Sequence, residues 1–510
     1  MKTLHFFAFL IIFSTNCQAQ VSLSKLALPK GIYPVGFQHY TTIDSTRTYS
    51  RIFDWDRQSQ FRPMEISIWY PAGAPATLDT TMTVLDYLEV YKQEMEWAHL
   101  PNNQILNWFF NGNIPKDIAH LSESTRAYKE IKKASGTFPV LVYAPGLEGS
   151  SIENFALFES LASQGYIIIA SPSRGADNRY FARNKLKNIE TQAQDITFLI
   201  KEVQKIKQTD PYKIAAIGYS FGGMSTILSQ MKNQQLKAIL SLDGAMKYQY
   251  SAIQQSVFFD LDRMDVPFIH FAQKNIPDSV LQADKLDASL NTDFDFYEEL
   301  KWSAAYRLQF HDLTHPYFTT LGLFFQQRDP RQDKTDPDLL AAHRLLANYC
   351  YHFSEAYLKK NPKSLAWLQE NPDQQKQKQG RLDFKKKSAL KKPIQFNDFH
   401  ELARAAEYQN LVRLYQQLKN ENPALTLPEY QLNNLGLQLT FNPKTSEAGI
   451  KIFNLALQLY PKSANLFDSL AEAHLYLGNK EEAIRSFEQS LALNPENRNA
   501  IERLKTLKVD

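Results

Sequence analysis

Residues 213–228, KIAAIGYSFGGMSTIL, admit few folds. They pass from an apolar, β-branched stretch through a turn of small residues into a helix-like stretch. Gly218, Gly222 and Gly223 remove Cβ atoms that would clash where a strand meets a helix at so sharp a corner. Ser220 stands at the corner itself. Its hydroxyl then projects beyond the strand end, toward the free N–H groups and positive end of the following helix. That placement suits a nucleophile.

The neighbouring sequence supplies the layers such a corner needs. MEISIWY (64–70), FPVLVYA (138–144), YIIIAS (166–171), AILSL (238–242), VPFIHFA (266–272) and AYRLQFHDL (305–313) read as further strands. Several are apolar at consecutive positions, as strands covered on both faces are. NFALFESLASQG (154–165) and ETQAQDITFLIKEVQKI (190–206) read as helices between them. Strands alternating with helices predict an α/β fold with a mostly parallel sheet, whose reactive groups gather at the carboxyl ends of the strands. An insert at 81–135 carries Trp97, Trp108, Phe109 and Phe110. It reads equally as a lid over a pocket or as cover for one sheet face.

A chain of 510 residues exceeds one ordinary core. Residues 20–370 are assigned to the α/β domain, which the helical stretch 339–358 closes. The polar, basic run 371–397 reads as a linker, and 398–510 as an all-α domain. There AGIKIFNLALQLYP (448–461) aligns with EAIRSFEQSLALNP (482–495) at an offset of 34 residues, matching Ile450 to Ile484, Phe453 to Phe487, Leu457 to Leu491 and Pro461 to Pro495. Helix pairs at that period resemble tetratricopeptide repeats. Such units stack into one core and commonly bind a peptide or protein; packing on the chain's own α/β domain is the alternative.

The first residues, MKTLHFFAFLIIFSTNCQAQ, have a lysine, a short apolar run and a polar end at Ala19. This is the layout of a signal peptide over 1–19, too short to persist as a membrane span, and it predicts export to the periplasm, outer envelope or medium. A net charge of +3 gives no reason to expect a nucleic-acid partner. Of the two cysteines, Cys17 would leave with the signal, so Cys350 has no partner for a disulfide. No CxxC or HExxH motif signals a metal.

A serine hydroxyl is a weak nucleophile until a base removes its proton, and the base needs an acid to hold its tautomer. After a corner of this kind the order is serine, acid, histidine. His315, in HDLTHPYFTT, lies just past the last expected strand, where a loop can carry it to the sheet's carboxyl edge. It is preferred to His311, which falls within the strand pattern, and to His270, which is mid-strand. Two carboxylates compete as the acid. Asp243 ends the strand after the nucleophile, and Asp278 follows the next strand, behind Pro277. Asp243 is favoured. The developing oxyanion needs backbone donors, expected at Phe221 N–H and at Leu147 N–H in the loop PGLEGSS.

These residues, with YPVGFQHYTTIDSTR, RPMEISIWYPA, FPVLVYAPGLEGS, FESLASQGYIIIASPSRG, IGYSFGG, LSLDGA and THPYF, resemble the secreted platelet-activating-factor acetylhydrolase family and its dienelactone-hydrolase-like relatives over roughly residues 30–360. The resemblance implies an α/β-hydrolase fold and ester hydrolysis without a cofactor. It matches Ser220, His315 and Asp243 to the family's triad, with the acid on the strand directly after the nucleophile, and Leu147 to its second oxyanion donor. Where the family commonly has histidine before the oxyanion glycine, this chain has Pro145. A backbone donor survives that change; substrate preference need not.

The expectation is an exported serine hydrolase acting on short-acyl or phospholipid-type carboxylic esters through an acyl-enzyme. An amidase or peptidase on the same fold, and a repeat-based interaction protein with a relict hydrolase domain, are the alternatives.

Overall fold

The computed structural model describes residues 21–50, 59–76, 80–110, 115–181, 185–374 and 378–508. The expected signal peptide lies outside them. The chain divides into two compact units, Met1–Leu390 and Lys391–Asp510.

The first unit is built on one 11-stranded sheet. Its strands are β1 (Val35–Tyr49), β2 (Gln60–Pro71), β3 (Thr81–Thr83), β4 (Ser124–Lys129), β5 (Phe138–Ala144), β6 (Ile167–Ala170), β7 (Thr209–Tyr219), β8 (Ile239–Leu242), β9 (Phe268–Ala272), β10 (Ala305–Phe310) and β11 (Leu382–Lys387). Across the sheet the order is β11-β10-β9-β8-β7-β5-β6-β2-β1-β4-β3. The centre, β6 to β10 through β5, β7, β8 and β9, is parallel. The rims are mixed: β2 pairs antiparallel with β6 and β1, and β11 pairs antiparallel with β10.

Alternation along the central strands explains why they are apolar throughout. Leu141 and Tyr143 of β5 and Ala215 and Ile217 of β7 face one hydrophobic core, shared with the helices Phe155–Ser163 and Asp336–Leu358. Val140 and Val142 of β5 and Ile214 and Ala216 of β7 face the other, shared with the helices Lys185–Val203 and Phe221–Asn233. A strand with helices on both faces has no polar side to show.

One part differs from the sequence reading. The basic run 371–397 is not a free linker. Its residues Leu382–Lys387 form β11 in continuous register with β10, from Phe310 opposite Leu382 to Ala305 opposite Lys387. Strand pairing uses the backbone, and an edge strand tolerates lysines on its side chains. The insert 81–135 is tied into the sheet at both ends as β3 and β4. Between them the helix Val84–Glu94 buries Tyr87 and Leu88 in the core, and Phe110 stacks on Phe325 at a 4.7 Å ring separation.

The second unit is helical. Pairs run Phe396–Ala405 with Leu411–Glu421, Glu429–Thr440 with Ser446–Leu459, and Ala464–Tyr476 with Lys480–Leu493, followed by Arg498–Leu507. The aligned residues Phe453 and Phe487 are both fully buried. Gly478 takes φ 79° at the turn of the last pair. Gly436 lets the ring of Phe453 approach to where a Cβ would stand 2.7 Å away. Among the described residues no helix is long and apolar enough to cross a membrane.

Candidate active site

Ser220 sits at φ 50°, ψ −115°, between the end of β7 and the helix Phe221–Asn233. Side chains rarely adopt that backbone region, and the surroundings hold it there. Its N–H donates to the Leu242 carbonyl at 3.1 Å, and its carbonyl accepts from Ala245 N–H at 2.7 Å and Gly223 N–H at 3.0 Å. The glycines are steric necessities. A Cβ on Gly222 would lie 2.0 Å from the Ala144 carbonyl oxygen, and one on Gly218 would lie 2.5 Å from that of Gly222.

Three distant side chains meet at the corner. Nε2 of His315 is 2.9 Å from Ser220 Oγ, and Nδ1 is 2.6 Å from Asp243 Oδ2. Asp243 follows β8, fully buried, with its own N–H donating to Phe271 O at 2.7 Å. Burial disfavours its charge. The hydrogen bond and charge of His315 and the amide of Gln273 outweigh that, holding the carboxyl below the ordinary aspartate value. Its other oxygen, Oδ1, accepts from Tyr248 Oη at 3.0 Å and Gln273 N–H at 3.0 Å.

Gln273, the residue directly after β9, binds the group together. Besides that amide, its side-chain oxygen accepts the His315 N–H at 3.0 Å and its Nε2 donates to Tyr248 Oη at 2.9 Å. Tyr219 stacks beneath the imidazole at 5.1 Å and donates its hydroxyl to the His315 carbonyl at 3.2 Å. Sequence reasoning missed Gln273, Tyr248 and Tyr219. The position of Gln273 at a strand's carboxyl end is the one signal that could have found it.

The residues expected to donate to the oxyanion, Phe221 and Leu147, lie on the two segments next to the serine. Phe221 is the first residue of its helix, so its N–H has no acceptor within the helix. The loop bearing Leu147 follows β5 and lies against the corner, with the Gly146 Cβ position 3.6 Å from Ser220 Cβ. Beneath that loop Glu153 is buried, its Oε1 accepting from Tyr143 Oη at 2.7 Å and Gly146 N–H at 2.9 Å. Burial pushes its pKa up to about 7, against the lowering effect of those two donors and of His315.

The competing candidates stand elsewhere. Asp278 is exposed at the start of the helix Asp278–Asp284. His311 faces Asp383 of β11 at 3.2 Å, and His270 bonds Ser241 Oγ at 3.0 Å within the core. Cys350 is buried, which pushes its thiol pKa far up. Among the described residues no group of His, Cys, Asp and Glu could hold a metal ion. A cleft of about 1060 Å³ bordered by Glu65, Glu96, Trp97, His99 and Arg174 opens beside β2. A smaller cavity shares Arg174 with it and reaches Glu148 and Gly149 of the Leu147 loop.

A solved ferulic acid esterase from Streptomyces cinnamoneus superposes on 71% of this chain and 99% of its own, with a TM-score of 0.50 and 17% identity. The first unit has the α/β-hydrolase fold. Within it, the prolyl oligopeptidase family model matches residues 153–272, the part of the α/β-hydrolase unit that holds Ser220 and Asp243. A tetratricopeptide repeat model matches residues 464–497 in the helical unit. No curated protein matches the chain. Ser220 occupies the turn between β7 and the following helix, and His315 and Asp243 converge on it from beyond the ends of β10 and β8.

Proposed function

We propose that this chain is a serine hydrolase of carboxylic esters, of the short-acyl or phospholipid type handled by the acetylhydrolase family it resembles. The unbroken hydrogen-bonded line from Ser220 Oγ through His315 to Asp243 carries this reading. Ser220 Oγ attacks the ester carbonyl carbon as His315 Nε2 takes its proton. Asp243 keeps the other ring proton on Nδ1 and stabilises the imidazolium. The carbonyl oxygen gains the negative charge and is held by the N–H groups of Leu147 and Phe221. On collapse the C–O bond breaks and the leaving alcohol takes the proton from Nε2. A water, deprotonated by the same nitrogen, then attacks the acyl-enzyme, and its proton returns to Ser220 as the acid departs. None of these steps calls on a cofactor.

A second reading rests on the prolyl oligopeptidase match over residues 153–272. The same constellation can cleave an amide, because the leaving group is selected by the pocket rather than by the triad. A series of p-nitrophenyl esters of increasing acyl length, run against matching p-nitroanilides, tests the two. Ester turnover with silent anilides supports the first reading. The reverse would establish the second.

We also propose that the apolar run near the amino terminus directs export and that cleavage follows Ala19; N-terminal sequencing of the mature protein tests this. The repeats are proposed to bind a peptide or protein.

A further inference from the structure

The loop that carries Leu147 is pinned at one residue from both sides. Gly146 N–H donates to Glu153 Oε1 at 2.9 Å, and Gly146 C=O accepts from Gly149 N–H at 3.0 Å. Leu147 N–H belongs to the same planar peptide as that carbonyl. In a trans peptide the N–H points opposite to the C=O, so a carbonyl turned inward to Gly149 turns the Leu147 N–H the other way. The direction of this donor is therefore decided by contacts the donor itself does not make.

Gly149 makes room for the pin. A Cβ there would stand 2.6 Å from Glu153 Oε2 and 3.0 Å from Gly146 N. Glu153 is also tied to the histidine side of the site. Its carbonyl accepts Leu321 N–H at 3.0 Å, and the next residue, Asn154, donates to Phe318 O at 2.9 Å and accepts from Thr320 Oγ1 at 3.2 Å. Leu321, Phe318 and Thr320 all follow His315 within a few positions. The titratable groups facing Glu153 come from four elements: Tyr143 of β5, Tyr219 of β7, Tyr91 of the helix Val84–Glu94, and His315. It is the buried acid among them that touches the Gly146 amide.

We propose that Glu153 is a positioning residue for ester cleavage: by holding the N–H of the preceding peptide at Gly146 it anchors the loop in which the Gly149 contact sets the Gly146–Leu147 peptide, and so keeps the Leu147 N–H aimed at the developing oxyanion. This rests on the reading of the chain as a serine esterase. Glu153 touches no substrate. Its effect appears only where the oxyanion forms, so it belongs to the transition state and not to substrate binding.

The test measures kcat and KM for p-nitrophenyl butyrate on the full chain, with affinity for a trifluoromethyl ketone that adds to Ser220. In Glu153→Ala, kcat falls about 100-fold, the range for losing one oxyanion donor, and ketone affinity falls by a similar factor. KM stays within about threefold, the signature of an interaction made only in the transition state. Glu153→Gln, which keeps an acceptor for Gly146 N–H, recovers most of the loss. Should the alanine variant fail to fold, Glu153→Asp withdraws the acceptor by one methylene and shows the same kcat loss. A wild type whose turnover depends on Ser220, beside folded Ala and Asp variants that retain it, overturns the proposal while leaving the esterase reading intact. A wild type that turns over no ester overturns both.

Discussion

Asp243 and His315 are 72 positions apart in sequence, yet Oδ2 of one lies 2.6 Å from Nδ1 of the other. The second carboxylate oxygen is occupied by Tyr248 Oη and the Gln273 amide, so only one face of the acid is left for the imidazole. Asp243→Asn keeps the shape but can present an N–H to Nδ1, favouring the wrong tautomer. We expect kcat for p-nitrophenyl esters to drop about 10⁴-fold. Asp278→Asn, at an exposed position, should leave kcat unchanged. Comparable losses in the two variants would remove Asp243 from its assigned role.

Ser220 is held at φ 50°, where a side chain is strained by about 1–3 kcal/mol. Ser220→Ala should abolish labelling by a fluorophosphonate probe and ester turnover together. Ser220→Gly relieves the strain and gives back part of the gain as unfolded-chain entropy. Thermal unfolding should show a net stabilisation of about 1 kcal/mol in an inactive protein. A lower melting temperature would contradict the strain argument.

Gly222 packs directly on the end of β5, where a Cβ would meet the Ala144 carbonyl oxygen at 2.0 Å. Backbone cannot move aside as a flexible side chain can. Gly222→Ala is expected to cost about 3 kcal/mol in urea unfolding, at the upper end of overpacking penalties, and to abolish activity by shifting the corner. An active variant of near wild-type stability would show that the corner is looser than this packing implies.

The Gln273 side chain serves two partners at once, the His315 N–H and Tyr248 Oη. Gln273→Leu leaves both without it while preserving the backbone amide to Asp243. Stability should fall by about 1–3 kcal/mol, chiefly because the His315 N–H loses its acceptor while Tyr248 Oη keeps Asp243, and kcat should fall severalfold. Unchanged kinetics would mean that Asp243 alone orients the imidazole.

Glu153 gives a pH dependence whose sign is fixed. Its pKa is raised by burial from 4.5 in the open chain to about 7 in the fold. Between those values the native state binds more protons than the unfolded one, so its contribution to stability falls as pH rises through that window. Glu153→Gln removes the titration. The melting temperature of the variant relative to wild type should therefore climb from pH 4.5 to pH 7 and then level off. The limiting effect is on the order of 3 kcal/mol. A flat difference across the window would place the carboxyl in a wetter site than its burial indicates.

How much of this was visible beforehand follows from what each element shows to its neighbours. β5 and β7 are apolar on successive residues because helices cover both faces, and the corner after β7 carries its glycines in the sequence itself. Ser220, Asp243 and His315 could be found because each ends or follows a central strand. β1 was missed because its outer half alternates buried and exposed residues unevenly, with a register shift between Asp44 and Thr48. β11 was hidden by its lysines, since composition records side chains while pairing is made by the backbone. Gln273 and Glu153 were missed for a third reason. Gln273 does follow a central strand, as the three found residues do, but which amides it and Glu153 meet is encoded by no spacing rule.

The lysine-bearing strand β11 bears on how the α/β unit can be isolated. A chain cut after residue 370 would lack it, leaving the amides and carbonyls of β10 that face β11, between Ala305 and Phe310, bare along the margin of the sheet. Such a raw margin invites a second molecule to dock strand to strand and precipitate. A hydrolase fragment meant to stay in solution must therefore reach Leu390, with its positive charges retained as a barrier against self-association.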